Sequence, residues 1–346
     1  MTRILAKPAA VDFVAPGRRD YHVTVEHPTI WGHFLIPLTV MVGPDAEAGR
    51  GVFASGATHG NELEGPVAIK RLMREIDIAD VRGRIVLCPV LNVAAFKAME
   101  RETPFEEPGS GNLNRAFPGD ERGNYTARVA DFVNRLLFPH VHVVYDIHSG
   151  GRVGRFEPLT SFHHLPDPEQ LRMTEQHARA FGCKFTMVYQ DETPGLLCST
   201  AEKLGKITVG TELGFGAAVN RRGAAMARQG ILWGCIKSGQ LSGALPANEH
   251  VDYQQQIKAD TSAPECSILA PFNGIFEPTV DVDVTVEKGD LLGLLHDFDR
   301  IDEAGWEIRA PHDGPVIMQA WEAEVEQGQI ITQVGQPQAW NTDAPA

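Results

Sequence analysis

The sequence predicts an α/β fold, a helix-covered and largely parallel sheet, with a small all-β domain after it. Three observations carry this. Between about residues 50 and 240, apolar runs of strand length alternate with amphipathic helical stretches, as in strand–helix–strand units. Three of those runs end in glycine-rich turns that carry His or Glu, and open α/β sheets build their sites beyond the carboxyl ends of strands. After about Gly243 the helical patterns stop, and short apolar segments with glycine turns repeat.

The elements follow in order. The first 20 residues read as an irregular arm. His22–Val25 and Leu35–Val40 are strand patterns, so residues 1–48 form an arm with leading strands. Residues 49–245 are the main α/β domain. In it, Gly51–Ala54 reads as a buried strand. Ala68, Ile69, Leu72, Met73 and Ile76 then fall on one helical face. Arg84–Cys88 is a strand, and Val129, Phe132, Val133, Leu136 and Leu137 form a helical stripe that reads as core. His142–Ile147, Phe185–Tyr189 and Lys206–Glu212 are further strands. Gln170–Phe181 and Ala224–Ile236 are helices.

Residues 246–262 are polar and read as a linker. Residues 263–335 contain an internal repeat: Ala270-Pro271-Phe272-Asn273-Gly274 recurs as Ala310-Pro311-His312-Asp313-Gly314, and Val286-Glu287-Lys288-Gly289 as Val325-Glu326-Gln327-Gly328. Two similar halves of short strands predict a pseudo-symmetric β-sandwich or flattened barrel. Its likeness to the biotinyl/lipoyl-type fold does not extend to a carrier role, because Leu291–Arg309 contains no lysine. Residues 336–346 read as a loose tail.

Composition narrows the function classes. A chain of 346 residues with 43% hydrophobic content supports a full core. A formal charge of -14 argues against nucleic acid and anionic membranes as partners. The five cysteines are an odd number, widely spread and without a Cys-x-x-Cys, which fits a reduced, cytoplasmic setting. Neither a signal-peptide h-region nor a run of 18 apolar residues is read.

The chemistry gathers at strand ends. Gly56-Ala57-Thr58-His59-Gly60-Asn61-Glu62 follows the first buried strand. A neutral imidazole and a carboxylate three residues apart can bind one Zn²⁺ if the loop curls, with a third ligand from elsewhere. Glu64 is an alternative to Glu62. His148, ending the run after Asp146, is the candidate third ligand. Two histidines and a glutamate leave one position for water, the pattern of a hydrolytic zinc site. Glu212, ending its own strand before Leu213-Gly214, is the candidate to take the proton from that water. Asn114-Arg115 lies in a polar loop closed by Pro118-Gly119. Arginine's planar fork suits a carboxylate, and Asn114 can add an amide donor.

These motifs in this order resemble the succinylglutamate desuccinylase/aspartoacylase family, of the zinc carboxypeptidase superfamily, over roughly residues 50–240. The resemblance implies a zinc-carboxypeptidase-like mixed sheet covered by helices. It implies one zinc per chain on His59, Glu62 and His148, a substrate α-carboxylate held by Asn114 and Arg115, and Glu212 as general base and later proton donor. The strings Ala57-Thr58-His59-Gly60-Asn61-Glu62, Asn114-Arg115-Ala116-Phe117-Pro118-Gly119 and Thr211-Glu212-Leu213-Gly214 are similar to one branch, which deacetylates N-α-acetyl-L-2,4-diaminobutyrate in ectoine breakdown. The expected partner is thus a small N-acyl amino acid, with a homo-oligomer allowed.

The aspartoacylase type also carries an arginine shortly before the Asn-Arg loop and another before the catalytic glutamate. Here Phe105–Gly111 is acidic, and the stretch before Glu212 holds Glu202, Lys203 and Lys206 but no Arg. A second substrate carboxylate would lack its clamp, and an acidic rim suits a substrate with a free amine. The rivals are an aspartoacylase or desuccinylase activity, a metallocarboxypeptidase and a zinc-stabilised interaction protein. His163-His164 is a second metal candidate, but the turn beyond it points to a surface loop. Arg152 and Arg155 follow the His148 strand and are possible pocket residues. The Tyr189–Leu197 segment reads as a lid, with Tyr189 a substrate contact.

Overall fold

The computed structural model describes residues 3–28, 31–190 and 194–342. Its strands are β1 Arg3–Ala6, β2 Gly17–Glu26, β3 His33–Val42, β4 Val52–Gly56, β5 Arg84–Cys88, β6 Val143–Ile147, β7 Gly154–Phe156, β8 Leu159–His163, β9 Phe185–Tyr189, β10 Ile207–Glu212 and β11 Ile257–Asp260. They continue as β12 Ser267–Leu269, β13 Gly274–Pro278, β14 Thr285–Val286, β15 Leu291–His296, β16 Trp306–Arg309, β17 Gly314–Ala320, β18 Glu324–Val325, β19 Ile330–Val334 and β20 Gln336–Gln338. The helices are α1 Glu64–Glu75, α2 Val93–Ala98, α3 Tyr125–Asp131, α4 Pro168–Arg179, α5 Leu197–Lys203 and α6 Arg221–Lys237. A π-helical turn, Phe132–Leu137, continues α3.

The main sheet has 11 strands in the order β1-β2-β3-β5-β4-β6-β10-β8-β9-β11-β20. It is mixed rather than largely parallel. The centre, β5-β4-β6-β10, is parallel, while the long hairpin β2-β3 and the β10–β8 pair are antiparallel. The two faces of β4 show why its sequence is apolar throughout. Phe53 joins a cluster with Val86, Val144 and Phe132. Val52 and Ala54 join one with Ile69, Tyr145 and Ile231 on the other face. Alternate side chains leave a strand on opposite sides, so a strand covered on both faces has no polar position.

Helix boundaries follow local signals. Asp167 accepts from Gln170 N–H at the start of α4, and Asn220 from Arg222 and Gly223 N–H at the start of α6.

Both chain ends differ from expectation. Within the expected irregular arm, β1 pairs with β2. Within the expected linker, β11 pairs with β9, and within the expected tail, β20 pairs with β11. These short segments lack alternating patterns of their own and gain order from the sheet edge. The tail is fastened further. Asn341 donates to Glu175, and the Trp340 ring lies 4.6 Å from the Arg179 guanidinium carbon.

The remaining C-terminal strands form two sheets, β12-β19-β17-β14 and β16-β15-β13-β18. Phe276, Leu292, Leu295, Ile308, Val316 and Ile331 make a common core. The repeat is visible in three dimensions. Ala270 and Ala310 are buried, as are Val286 and Val325, and Gly289 and Gly328 both have positive φ, 93° and 85°. β7, which follows the His148 turn, pairs with β17. The C-terminal sheets are therefore hydrogen-bonded to the loop beyond β6. No helix among the described residues is long and apolar enough to cross a membrane.

Candidate metal centre and active site

Three adjacent parallel strands, β4, β6 and β10, end beside one another, and their following turns carry the predicted residues. After β4 the chain turns sharply. Ala57 takes a left-handed conformation (φ 50°), held by Leu91 and Asn92 N–H groups donating to the Gly56 and Ala57 carbonyls. Gly60 packs directly on α2: a Cβ there would lie 2.0 Å from the Ala95 carbonyl carbon. This close approach curls the loop so that His59 and Glu62 face the same way.

His59, Glu62 and His148 are buried, and one ligand atom from each lies within 4.8 Å of the others. Glu62 bridges the imidazoles, with Oε1 2.8 Å from His59 Nδ1 and Oε2 2.7 Å from His148 Nδ1. Each imidazole turns its other nitrogen to an outer acceptor. His59 Nε2 lies 3.1 Å from Asn112 Oδ1, and His148 Nε2 lies 2.7 Å from Asp146 Oδ2. Asp146 is held in turn by Thr58 and Ser55, whose hydroxyls donate to Oδ1 at 2.6 and 3.2 Å. A carboxylate behind a ligating histidine fixes its tautomer and raises its basicity.

These contacts test whether a cation fits. Asn112 Oδ1 also accepts from Asn114 N–H at 3.0 Å, which identifies that atom as the oxygen. The His59 proton therefore belongs on Nε2. Burial pushes the His59 pKa down, outweighing the pull of Glu62, so the ring is neutral. Its Nδ1 lone pair then faces a carboxylate oxygen at 2.8 Å, a contact that a shared cation would satisfy. Two Nδ1 atoms and a carboxylate are a donor set suited to zinc.

The charges around the site are strongly coupled. Burial alone would raise Glu62, but His59 and His148 outweigh it and hold the carboxyl well below its usual range. Burial would lower His148, but Asp146 and Glu62 hold it well above its usual value. Arg101 Nη1 donates to Glu62 Oε1 at 3.0 Å. Glu64 lies outside the triad. Its Oε1 accepts from Asn220 N–H at 2.8 Å, tying α1 to the loop before α6.

Glu212 ends β10 next to His148, and Leu213 N–H donates to the His148 carbonyl at 3.1 Å. Glu212 Oε2 is a buried oxygen without a hydrogen-bond partner in the structure. Burial, then repulsion from Glu62, pushes its pKa up to about 8. A divalent cation on Glu62 would oppose that repulsion and bring the carboxylate form into reach near neutrality. Asn114 and Arg115 lie in a one-turn 3-10 helix. Asn114 Nδ2 is 3.4 Å from His148 Nε2, and its Oδ1 accepts from Leu197 N–H at 2.9 Å. The Arg115 side chain is exposed, with Nη1 donating to the Asn114 carbonyl at 2.6 Å.

All six sequence-predicted site residues thus cluster at one end of the sheet. Asp146, Thr58, Asn112 and Arg101 join them without having been assigned a role. For Asp146 a signal existed: a carboxylate two residues before a strand-end histidine.

Other expectations are corrected. Arg101 is an arginine preceding the Asn-Arg loop, although Phe105–Gly111 holds none. Two of the acidic residues are engaged within the fold rather than on a rim. Glu106 accepts from Thr126 N–H in the first turn of α3, and Glu202 is buried against His163. His163 is a buried strand residue rather than a surface-loop one, because β8 is covered on both faces. Arg155 pairs with Asp281 at 3.1 Å and lies over Phe215, on the C-terminal sheets and not in the triad. Of the expected lid, 191–193 lie outside the described residues. Gly195 and Leu197 abut the Asn114–Phe117 loop.

Known proteins resemble this chain over nearly its whole length. Residues 48–233 match the succinylglutamate desuccinylase/aspartoacylase catalytic domain. The N-α-acetyl-L-2,4-diaminobutyric acid deacetylase of Halomonas elongata is 33% identical over 334 residues, covering 95% of this chain and 94% of the relative. The product-bound structure of the ectoine utilization protein EutE (DoeB) from Ruegeria pomeroyi superposes with a TM-score of 0.85 at 31% identity, covering 94% of this chain and 98% of that one. The succinylglutamate desuccinylase/aspartoacylase structure from Rhodobacter sphaeroides gives 0.86 at 28%, with coverages of 95% and 98%. On the match of its catalytic region and near full-length similarity to these relatives, the chain belongs to the succinylglutamate desuccinylase/aspartoacylase family.

Proposed function

We propose that this protein is a zinc-dependent amidohydrolase that removes the acetyl group from N-α-acetyl-L-2,4-diaminobutyrate in ectoine degradation. The observation that carries the hydrolytic reading is the meeting of two imidazole Nδ1 atoms on one carboxylate, with an unpartnered Glu212 oxygen alongside. The similarity to the Halomonas and Ruegeria proteins supports the choice of substrate.

His59, Glu62 and His148 would hold one zinc ion. Zinc bound there would lower the pKa of a water and polarise the acyl carbonyl. Glu212 accepts the water's proton and delivers it to the departing amine, so one carboxyl serves as base and then acid. Asn114 and Arg115 bind the α-carboxylate and orient the amide across the site. Arg101 offsets negative charge beside Glu62. The products are acetate and an amino acid. Residues 49–245 are the catalytic unit, and residues 263–335 form a separate β domain that shapes access through the β7–β17 pairing. The protein works in the cytoplasm on a small molecule, with no nucleic-acid partner.

The test is amine release by zinc-loaded protein from N-α-acetyl-2,4-diaminobutyrate, N-acetylaspartate and N-succinylglutamate, with and without chelator. Chelator-sensitive release from the first alone is expected. Preference for a dicarboxylate would keep the hydrolase and overturn the substrate. No release from any would overturn both.

A further inference from the structure

α5 is a seven-residue helix, too short to be stable alone in water. Its position is set by what it touches. Leu197 and Ala201 are its buried apolar contacts. Its polar anchor is Glu202, whose carboxylate joins two strands. Oε2 lies 2.6 Å from His163 Nδ1 on β8, and Oε1 accepts from the Thr208 hydroxyl on β10 at 2.6 Å. His163 and Thr208 are 1% and 0% exposed. His163 Nε2 is buried without a hydrogen-bond partner, and the ring stands edge-on to Tyr189, with centroids 4.3 Å apart. The pair is buried.

The other end of α5 meets the substrate loop. Leu197 N–H donates to Asn114 Oδ1 at 2.9 Å, and Phe117 N–H to the Gly195 carbonyl at 3.2 Å. Gly195 has a left-handed φ of 91°, and a Cβ on it would fall 2.2 Å from the Arg115 carbonyl oxygen. Backbone lies on backbone here, so displacement of α5 carries the Asn114–Phe117 loop with it.

We propose that the buried His163–Glu202 pair positions the substrate's carboxylate clamp by locking α5 in register. With Oδ1 held by Leu197, the Asn114 amide must present Nδ2 toward His148 and the bound substrate. His163 and Glu202 are positioning residues, acting through Asn114. The inference rests on the proposed role of Asn114 and Arg115 in binding a carboxylate.

The experiment uses the zinc-loaded full chain with Glu202→Leu, which keeps bulk and removes both hydrogen bonds. Steady-state kinetics are read on N-α-acetyl-2,4-diaminobutyrate and on N-acetyl-1,3-diaminopropane, which lacks the carboxylate. The expected result is a KM for the first raised roughly tenfold or more, the scale of losing a hydrogen bond to a charged group, with kcat within about threefold. Turnover of the second should be unchanged from wild type, and Glu202→Gln, which can bond both His163 and Thr208, should restore the KM. An unchanged KM, or equal loss on both substrates, overturns the proposal. Arg115→Ala separates the two ideas: if it leaves KM unchanged, the carboxylate clamp itself is wrong and the inference falls with it. Should Glu202→Leu fail to fold, Thr208→Val, which removes one of the two bonds, carries the same comparison.

Discussion

Asp146→Asn isolates the outer support of the metal site. Asp146 Oδ2 sits 2.7 Å from His148 Nε2, and Oδ1 accepts from Thr58 and Ser55. An asparagine can keep an oxygen toward His148 and turn its NH₂ to the two hydroxyls, which rotate to accept. Shape and hydrogen-bond count are then preserved, and the negative charge behind the imidazole is lost. Removing such a partner typically weakens metal binding about 10–100-fold, or about 1.4–2.7 kcal/mol. The assay is a competition titration of zinc between the protein and a chromophoric chelator at neutral pH. Melting of the metal-free proteins in parallel confirms that the fold is intact. We expect weaker zinc binding within that range and little change in metal-free stability. Zinc affinity equal to wild type would refute the argument that Asp146 acts on the metal through His148.

Glu212→Gln should retain zinc and lose turnover by about 10²–10⁴-fold; metal analysis with kinetics checks this, and retained activity would remove Glu212 as the base. Gly60→Ala should destabilise the protein by about 3 kcal/mol and weaken zinc binding, because the new Cβ meets the Ala95 carbonyl group; an unchanged melting temperature and affinity would contradict the close approach. Burial holds the pKa of His177 down at about 3, while Tyr145 Oη lies 2.5 Å from its Nδ1. Its native pKa is below its unfolded value, so the unfolded chain binds more protons between these values. Stability from this group is complete above about pH 6.5 and is lost as pH falls, by about 2.7 kcal/mol at pH 4.5. Urea unfolding at pH 7 and 4.5 should show His177→Gln losing less stability than wild type by about that amount; equal losses would refute it.

The central strands and the long helices were readable from local pattern. β4, β5, β6, β9 and β10 are covered on both faces or nearly so, and α1 and α6 bury apolar faces. Their side chains carry the signal whatever their neighbours are. The segments that escaped are those whose order comes from a partner. β1 and β20 are edge strands and β11 lies next to the edge, each of four residues or fewer. α2 and α5 are six and seven residues long, below the length at which a helix declares itself. His163 shows the cost of reading position alone. A proline-rich turn begins just beyond it, yet its backbone completes β8 and its side chain closes on Glu202.

The available chemistry is legible in the motifs: which strand ends carry His59, Glu62, His148 and Glu212, and which loop carries Asn114 and Arg115. Motif spacing suffices for this because a turn after a strand must present its residues at the sheet's edge. How those residues are supported depends on the packed fold. Asp146 behind His148, Asn112 behind His59, Arg101 on Glu62, and Glu202 joining α5 to two strands are contacts between elements far apart in the chain. Their partners are selected by strand order and by the packing of α2 and α5 on the sheet. The physical reason is that a ligand set is a local property of short loops, whereas the tautomer, charge and orientation of each ligand depend on groups that meet only when the sheet has formed.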